Sequence, residues 1–484
     1  MVKKYLLFIT LVCFINKYAT SQAEFTLGTM EHVFQSTYMN GMAQPDNTFG
    51  FGLPGISSIY VGYANTGFNY ANITLDSTHS DGTTKKYFSF RKLSDAFASG
   101  PHFVSLNQNI DILHAWVKMR SFHLSFNVSQ RGFGIINFPA DFSRLVYGGT
   151  IDENGVGKDL NLSGFGANMT AYNEYVLGIS RKGRRMMYSA RVKFLQGIAN
   201  LDVYSDDFFL NVDKDMYDLS FKFNGTARMS NPFIRYDDNA KAYKNVDNPE
   251  FGFNNRGFGG DIGLGYLFRK NVALMVNANN LGFITWRTNP VEIAFDGEAT
   301  TFRGVDIAKG LLNGESISAG EFVDSLSSRL TPKTKGGQAY TKWLTPSFYG
   351  IFKWEITPRI MLQATLFMQQ YFKWRPGFAV SAQVKMARFF SITGSASNQY
   401  GVTNFGAGFV FKPGPVQIYF VSDNILAISG AIQTGMESGK KLYIPTDSKT
   451  FNFRIGMNFV FGRAKLEQAQ AFSLHRKKQH KRYK

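Results

Sequence analysis

The sequence feature that most constrains the fold is a strict two-residue alternation of apolar and polar side chains. Between positions 451 and 461, every odd position carries Phe, Ile or Met, whereas Asn452, Arg454 and Asn458 occupy even positions. Successive side chains of a β-strand point to opposite faces, so this period predicts a strand with one apolar and one polar face and excludes a helix. The last well-patterned segment of the chain is therefore half greasy and half polar.

The same alternation recurs along the chain, and its runs approach or exceed the ~9–11 residues of a tilted transmembrane strand. Further clear examples are 123–131, 186–194, 360–369 and 378–386. A soluble β-sandwich also alternates, but its strands average about five or six residues and its connections are usually short at both ends. Here short turns, such as 182–184 and 357–359, alternate with much longer connections. The long connections are 69–108, 134–166, 198–256, 287–342 and 428–449.

Short turns at one end and long loops at the other are typical of outer-membrane barrels. We therefore predict an all-β fold: a single antiparallel transmembrane β-barrel of about 14 strands over residues 49–462, with both termini on the periplasmic side. The 198–256 stretch leaves room for an additional hairpin. Aromatic residues make up 15% of the chain, charged residues only 18%, and the mean hydropathy is −0.17. That hydropathy is too low for a helical membrane protein and fits strands of which half the side chains are polar.

Residues 1–23 have the pattern of a secretory signal peptide. Lys3 and Lys4 precede an apolar run over 5–15, and small residues follow over 19–23. The run is shorter than the ~20 residues of a membrane-spanning helix, so we expect export and cleavage. The only cysteine, Cys13, lies in this segment. The mature chain would then contain no disulfide, cysteine nucleophile or thiolate metal site.

Two stretches resemble a known family. They are Met30-Glu-His-Val-Phe-Gln-Ser-Thr-Tyr-Met-Asn40, with 50–60 after it, and Gly257-Phe-Gly-Gly-Asp-Ile-Gly-Leu-Gly-Tyr266, with 279–286 after it. The chain resembles an uncharacterised Bacteroidota family of exported barrel proteins, which is distantly similar to FadL-type fatty-acid transporters and PorV-type secretion accessories. Those proteins are fourteen-stranded barrels, and the resemblance implies the same fold here.

The resemblance also implies a role for residues 24–48, which we call the plug-like segment. In FadL-type proteins the N-terminal segment enters the lumen, so Phe34, Tyr38 and Met42 would pack inside the barrel. A helix-like run over 31–42 fits this view. The alternative is a periplasmic leader lying against the barrel rim.

The 287–342 connection is too long for a simple turn, and connections of this length are usually functional or disordered. Ser318 is placed to cap a helix in which Phe322, Val323, Leu326 and Leu330 form one apolar stripe. We expect a partly helical extracellular lid whose apolar side binds a hydrophobic ligand. A self-packed decoration of the barrel mouth is the alternative.

Polar and charged side chains fall on the inward face of several predicted strands. They are His123, Arg131, Arg191, Lys193, Lys385 and Arg454. Ser125 shares a face with His123, but no matching acid or longer hydrolase motif accompanies them, and such residues ordinarily fill barrel interiors. We predict no catalytic residue, metal site or cofactor, and no enzymatic activity.

Glycines over 257–265 do not have the spacing of a dinucleotide loop, and we expect them to let a strand bend or to admit the backbone of the plug-like segment. The sequence 276–284 is echoed by 420–428. We interpret both as a strand-exit motif in which Asn side chains bond backbone groups.

The formal net charge is +18, and much of the excess lies in the tail 463–484. We expect this tail in the periplasm, either as a solvated extension or as a contact for anionic partners. The expected location is the outer membrane of a Gram-negative bacterium, which brings lipid contact and excludes nucleic acid. The expected function is FadL-like passive uptake of a hydrophobic or amphipathic small molecule. The alternative is a non-transporting accessory of a secretion, adhesion or motility assembly, acting through an envelope protein partner of the outer loops or tail.

Overall fold

The structure is a computed structural model. It describes residues 24–68, 73–78, 84–97, 100–142, 144, 159–212, 219–249, 251–302, 333–370, 374–399, 401–427 and 449–462.

Strands dominate these residues. In chain order they are β1 (Phe49–Gly52), β2 (Ile59–Asn65), β3 (Thr74–Thr78), β4 (Thr84–Phe88), β5 (His102–Met119), β6 (Phe122–Phe138), β7 (Leu160–Asn161), β8 (Gly166–Lys182), β9 (Met186–Val212), β10 (Leu219–Ser230), β11 (Ile234–Asp237), β12 (Ala242–Asn245), β13 (Arg256–Arg269), β14 (Val272–Trp286), β15 (Val291–Phe302), β16 (Lys333–Gly336), β17 (Tyr340–Trp343), β18 (Ser347–Thr357), β19 (Ile360–Gln370), β20 (Trp374–Lys385), β21 (Phe390–Gln399), β22 (Val402–Phe411), β23 (Val416–Ser422) and β24 (Thr450–Phe461).

The wall is a closed antiparallel β-barrel of fourteen strands, which confirms the predicted fold class. The strands β1 and β2 both pair with β5 on one side and β24 on the other, so together they act as one interrupted wall strand. The others are β5, β6, β8, β9, β13, β14 and β18 to β24. Pairing of Phe49 with both Phe461 and Val117 closes the ring, so neither terminal wall strand leaves an open edge.

The two faces of the wall have the chemistry that the alternation predicts. In β19, Leu366 and Met368 are exposed on the outer face, whereas Gln363 and Thr365 are buried on the inner one. Exposed apolar residues on the outer face of many strands form a belt. An aromatic row on adjacent strands bounds it, with each member directly opposite the next: Tyr175, Phe194, Phe258, Phe283 and Trp343. Barrels place such rows at the membrane interface.

The two ends of the barrel differ. Short turns join β5 to β6, β8 to β9, β13 to β14, β18 to β19, β20 to β21 and β22 to β23 at what we call the short-turn end. At the opposite, long-loop end, β9 continues beyond the wall and pairs with β10, which pairs in turn with β15, and β15 pairs with β16. The additional hairpin for which 198–256 left room is present, and it is formed by the end of β9 and by β10. Two further hairpins, β3–β4 and β11–β12, also lie in long connections.

Helices are few among the described residues. Two α-helices span Phe25–Thr29 and Phe90–Phe97, and a 3₁₀ helix spans Phe34–Tyr38. Within the part of the chain that the structure describes, none of the helices has the length and apolar character required to cross a membrane.

Replacing Ile262 by lysine should distinguish a lipid-facing wall from a water-exposed one. Ile262 lies on the outer face of β13 between Phe258 and Tyr266 and is 59% exposed. A lysine facing the middle of the hydrocarbon should lower the free energy of unfolding in phospholipid vesicles by about 2–4 kcal/mol. The control is Tyr243→Lys on the β11–β12 hairpin, which is 50% exposed and outside the wall. Equal effects of the two substitutions would contradict a lipid-facing position for Ile262.

Candidate functional site

The plug-like segment lies inside the barrel. Its residues contact inward-facing side chains of β5, β6, β8, β9, β14 and the strands from β18 to β24. These contacts lie on most sides of the segment, so the segment occupies the lumen at this level. The chain then reaches the short-turn end, where Asn47 donates a hydrogen bond to the carbonyl oxygen of Gly462 at 2.9 Å and β1 begins.

The predicted helical run over 31–42 is reduced to the five-residue 3₁₀ helix. Side chains here compete for backbone groups, because the Ser36 hydroxyl donates to the carbonyl of Val33 at 2.8 Å and Asn40 Oδ1 accepts from the amide of Met42 at 3.1 Å. Such local bonds favour turns over a continuing helix.

Apolar residues of the plug-like segment bury themselves against apolar residues of the wall. The segment contributes Phe25, Leu27, Met30, Val33, Met39 and Met42. The wall contributes Met187, Ala273, Met275, Tyr349, Ile351, Phe367, Ala379, Val410, Tyr419 and Val421. Burial of these side chains stabilises the inserted position of the segment by roughly 25 cal/mol for each Å² of apolar surface that is removed from water.

Phe34 is fully buried and lies between β5 side chains and the rest of the segment. Its ring stacks on His114, with centroids 4.6 Å apart, and on Trp116, with centroids 5.2 Å apart. Offset or stacked aromatic pairs add about 0.5–1.5 kcal/mol beyond area burial. The structure therefore places this residue in the lumen, in contact with the wall.

Met42 packs against the glycine-rich strand β13. A Cβ atom at Gly263 would lie 3.2 Å from Met42 Cε and 2.3 Å from Ser189 Oγ. A side chain at position 263 would therefore displace its neighbours, and the missing side chain makes room for Met42. The expectation that glycines over 257–265 admit the backbone of the plug-like segment is thus met only in part, because Gly263 makes room for a side chain of that segment.

Tyr38 is the contact point of three cationic side chains from three wall strands. The guanidinium carbons of Arg131, Arg191 and Arg454 lie 5.0, 5.5 and 5.5 Å from its ring centroid. Its hydroxyl donates to Asp111 Oδ2 at 2.7 Å. Cations over an aromatic face gain more energy where water is excluded, and the phenol thus links β5, β6, β9 and β24.

Two ion pairs attach the segment to different parts of the wall. Glu24 accepts two hydrogen bonds from Arg454, at 2.6 and 2.7 Å, and Arg454 is fully buried. Glu31 pairs with Lys353 on β18. Burial would raise the pKa of the Glu31 carboxyl, but the Lys353 ammonium outweighs it and holds that pKa below its ordinary value.

Nearby on β6, β8, β9 and β13, charges of both signs form one buried cluster. Arg131 donates to Glu174 at 2.7 and 2.9 Å, and Lys193 lies 2.9 Å from Asp261 and 3.7 Å from Glu174. Arg191 joins the cluster at 3.6 Å from Asp261 and donates to the carbonyl of Thr37 at 2.6 Å. The cluster thus holds both neighbouring wall strands and the backbone of the plug-like segment.

The two similar stretches, 276–284 and 420–428, contact the plug-like segment at different places. Asn279 Nδ2 donates to the carbonyls of Tyr38 and Met39, at 3.1 and 3.2 Å. Asp423 Oδ1 accepts from the amide and the hydroxyl of Thr26, at 2.7 and 2.6 Å. The strand-exit interpretation holds for 420–428, where β23 ends, but is wrong for 276–284, because β14 continues to Trp286 through a register shift.

The remaining predicted residues are spread out. His123 is buried on β6 near the short-turn end, and half-exposed Lys385 lies 3.9 Å from Asp46 of the plug-like segment. Burial would raise the pKa of Asp46, but His32 and Lys385 hold it well below its ordinary value. Ser318, Phe322, Val323, Leu326 and Leu330, the signal peptide and the basic tail lie outside the described residues.

The acidic partners in this site were missed at the sequence level. Glu24, Glu31, Glu174, Asp261 and Asp423 each pair with the cations or amides named above. The sequence contained a signal for Glu174 and Asp261. An acid within an alternating strand must face either lipid or the lumen, and a carboxylate in lipid is costly, so both should face the lumen and its cations. Among the described residues, no group of three or more His, Cys, Asp or Glu side chains is arranged to hold a metal ion.

This geometry defines a transmembrane β-barrel of the outer-membrane type whose lumen holds its own N-terminal segment. The chain belongs to the Family of unknown function (DUF5723), which matches residues 43–423. No curated protein matches it.

Three solved structures are similar to it. A Pseudomonas aeruginosa FadL homologue has 8% identity, with 92% of this chain and 100% of that chain covered and a TM-score of 0.41. The Ralstonia pickettii toluene transporter TbuX has 8% identity, with coverage of 87% and 91% and a TM-score of 0.38. The Pseudomonas putida toluene transporter TodX has 8% identity, with coverage of 91% and 93% and a TM-score of 0.35.

Removing the buried cation of the Glu24–Arg454 pair should destabilise the folded protein strongly, whereas removing both charges should destabilise it much less. In Arg454→Met, the Glu24 carboxylate is left in the lumen without its partner, so the free energy of unfolding should fall by about 3–5 kcal/mol. Adding Glu24→Gln should recover most of this loss. Equilibrium unfolding in detergent measures both variants, and Asp207→Asn in the exposed Lys222–Asp207 pair is the control, with an effect of about 0–1 kcal/mol. A double variant no more stable than Arg454→Met would refute the pairing.

Proposed function

We propose that this protein lies in the outer membrane of a Gram-negative bacterium and takes up a hydrophobic or amphipathic small molecule by passive diffusion. The support for the location is the apolar outer belt with its aromatic boundary row. The support for the ligand class is the apolar cluster that the plug-like segment forms with part of the otherwise polar inner wall. An apolar contact inside a lumen that is otherwise polar suits a hydrophobic or amphipathic solute.

One observation carries this proposal: the contact between the plug-like segment and the wall is rich in methionine. Met30, Met39 and Met42 of the segment pack with Met187 and Met275 of β9 and β14. Methionine has three rotatable bonds and a polarizable sulfur, so it adapts to different neighbours at low energetic cost. An apolar molecule could pass along such a contact while the methionines repack around it.

The tethers of the segment indicate which part moves. Thr37 and Tyr38 are held by charged donors or acceptors of the wall, and Asp46 lies 3.9 Å from Lys385 of β20. Between them, Gly41 is bound through its amide to Asn277 Oδ1 at 3.2 Å, a neutral hydrogen bond. Bonds to charged groups are about twice as strong as neutral ones, so residues 39–43 are the part of the segment that is displaced most easily.

In this proposal the ligand first binds under the 287–342 connection, on the apolar stripe of Phe322, Val323, Leu326 and Leu330. It then reaches the methionine-rich contact from the long-loop end. Displacement of residues 39–43 opens the way to the short-turn end, and the charged tethers keep the rest of the plug-like segment in place.

A disulfide between positions 41 and 189 should block uptake reversibly. A Cβ atom at Gly41 would lie 3.1 Å from Ser189 Cβ, so the two positions need to separate by only about half an ångström to reach the ~3.5–4.5 Å between the Cβ atoms of a disulfide. Cells that carry Gly41→Cys with Ser189→Cys should take up a fluorescent dodecanoic acid at the rate of cells without the protein. Uptake should return after treatment with dithiothreitol.

The two single-cysteine variants are the matched controls. They should take up the probe at the wild-type rate both before and after treatment with dithiothreitol. Uptake that is unaffected by a disulfide verified by mass spectrometry would refute passage along residues 39–43. A wild-type rate equal to that of cells without the protein would refute transport of this probe altogether.

The second candidate is a non-transporting accessory protein of an envelope assembly. The observation that favours it is the additional sheet of β9, β10, β15 and β16 beyond the wall, with the β11–β12 hairpin beside it. Phe233, Tyr243 and Phe251 are each at least 50% exposed in this region, and exposed apolar patches mark interaction surfaces.

Replacing residues 234–245 by a Gly-Ser linker tests that candidate. The protein is extracted in mild detergent and isolated by affinity capture. An accessory role predicts a stoichiometric partner that is captured with the wild-type chain and lost with the linker variant, while uptake of the fluorescent probe stays at the background level in both. Capture of the same proteins by both chains would count against this surface.

A further inference from the structure

A row of polar side chains lies on the outer wall directly beyond the aromatic row, towards the long-loop end. Its members are opposite one another on five strands: Gln130, Asn173, Gln196, Arg256 and Thr285. The aromatic neighbours Tyr175 and Phe194 are two residues away on β8 and β9. Since aromatic rows mark the interface, the polar row lies at the level of lipid headgroups.

A cavity of about 330 Å³ opens in this row. Its side-chain lining includes Ile112, Gln130, Asn173, Gln196, Asn255 and Thr288. The lining contains amides, one hydroxyl and apolar groups, and none of the residues that line it carries a charge. A neutral ligand with several hydroxyl groups matches that chemistry, because amides both donate and accept hydrogen bonds.

One lining residue fixes the roof of the cavity. Gln196 Nε2 donates to the carbonyls of Phe251 and Gly252, at 3.2 and 3.3 Å, and its Oε1 accepts from Asn173 Nδ2 at 3.1 Å. The hydroxyl of Tyr175 donates to the same oxygen at 3.0 Å. The 251–255 stretch is thereby held over the outer face of β9, and the amide of Gln196 is fully used for this purpose.

The aromatic groups beneath the cavity continue its surface into the apolar belt. Phe253 lies 6.2 Å from Tyr175 and 6.0 Å from Phe194, measured between ring centroids, and Phe258 lies 5.6 Å from Phe194. Farther from the cavity on the same strands, Leu177 and Val192 are 66% and 67% exposed. A molecule whose head occupies the cavity would therefore lay its alkyl chain along an apolar surface.

We propose that this cavity binds the sugar head of a single-chain or multi-chain glycolipid of the outer leaflet, with the acyl chain directed along Phe194 towards Val192. Gln130 and Asn173 donate to and accept from the sugar hydroxyls, and Phe251 covers its apolar side. The inference requires that the wall spans a membrane, and it does not depend on transport through the lumen.

Native mass spectrometry of the full-length protein tests this with two probes of equal chain length. Protein in lauryldimethylamine oxide is titrated with dodecyl maltoside, which has a sugar head, or with dodecylphosphocholine, which has a charged one. After the lauryldimethylamine oxide is stripped in the mass spectrometer, the wild-type chain should retain one molecule of dodecyl maltoside. It should not retain dodecylphosphocholine. Gln130→Leu should reduce retention about fivefold, the equivalent of one hydrogen bond.

Thr341→Val is the matched control, because Thr341 faces Thr285 next to the polar row but does not line the cavity. It should retain dodecyl maltoside like the wild-type chain. Ile112→Trp fills the cavity from its apolar side and should abolish retention while folding is verified by heat-modifiable electrophoretic mobility. Equal retention in the wild-type, Gln130→Leu and Ile112→Trp chains, or equal retention of the two probes, would overturn the proposal.

Discussion

Lipid offers no hydrogen-bond partner to backbone amide and carbonyl groups, and the wall depends on this constraint before anything else. A sheet that leaves one edge open would expose a row of such groups, so β1 and β2 must both pair with β24 and with β5. The interruption between them is tolerated because both neighbours continue past it. Closure in turn fixes which face of each strand is inside, and this decides where every charged residue of the wall must find a partner.

A closed wall encloses a volume whose polar groups must be solvated or paired, and here much of that pairing is supplied by the chain's own N-terminal segment. Arg454 is paired with Glu24, and Lys353 with Glu31, so each of these two wall cations meets an acid of the plug-like segment. A buried pair of this kind contributes little net stability against an apolar equivalent, but breaking one is expensive. The ion pairs therefore specify the position of the segment, while burial of its apolar side chains supplies the stabilising free energy.

The wall could be predicted from sequence because its signal is local. Alternation within ten residues identifies strand and face together, and exposure alternates along β19 as predicted, although apolar Met361 and Phe367 lie on its inner face. The partners in the lumen could not be predicted in this way, since Glu24 and Arg454 are 430 positions apart and nothing local links them. The helix over 31–42 failed for a related reason: Ser36 and Asn40 bond nearby backbone, and packing against the wall selects the conformation. Resemblance indicated the inserted segment, whereas its contacts required the structure.

The same closure produces two different apolar environments, and they impose different demands on a ligand. The outer belt is open to lipid and ends at an aromatic row, beyond which amides such as Gln130 and Asn173 follow at once. The apolar part of the lumen lies where the plug-like segment packs against Met187, Met275 and their neighbours. A solute that enters this part of the lumen must therefore separate the plug-like segment from the wall. A lipid at the outer wall displaces only other lipid molecules and water. In the proposed uptake, occupancy of the outer cavity can thus remain constant while residues 39–43 are displaced, since the Gln196 amide that holds the cavity roof takes no part in the tethers of the plug-like segment.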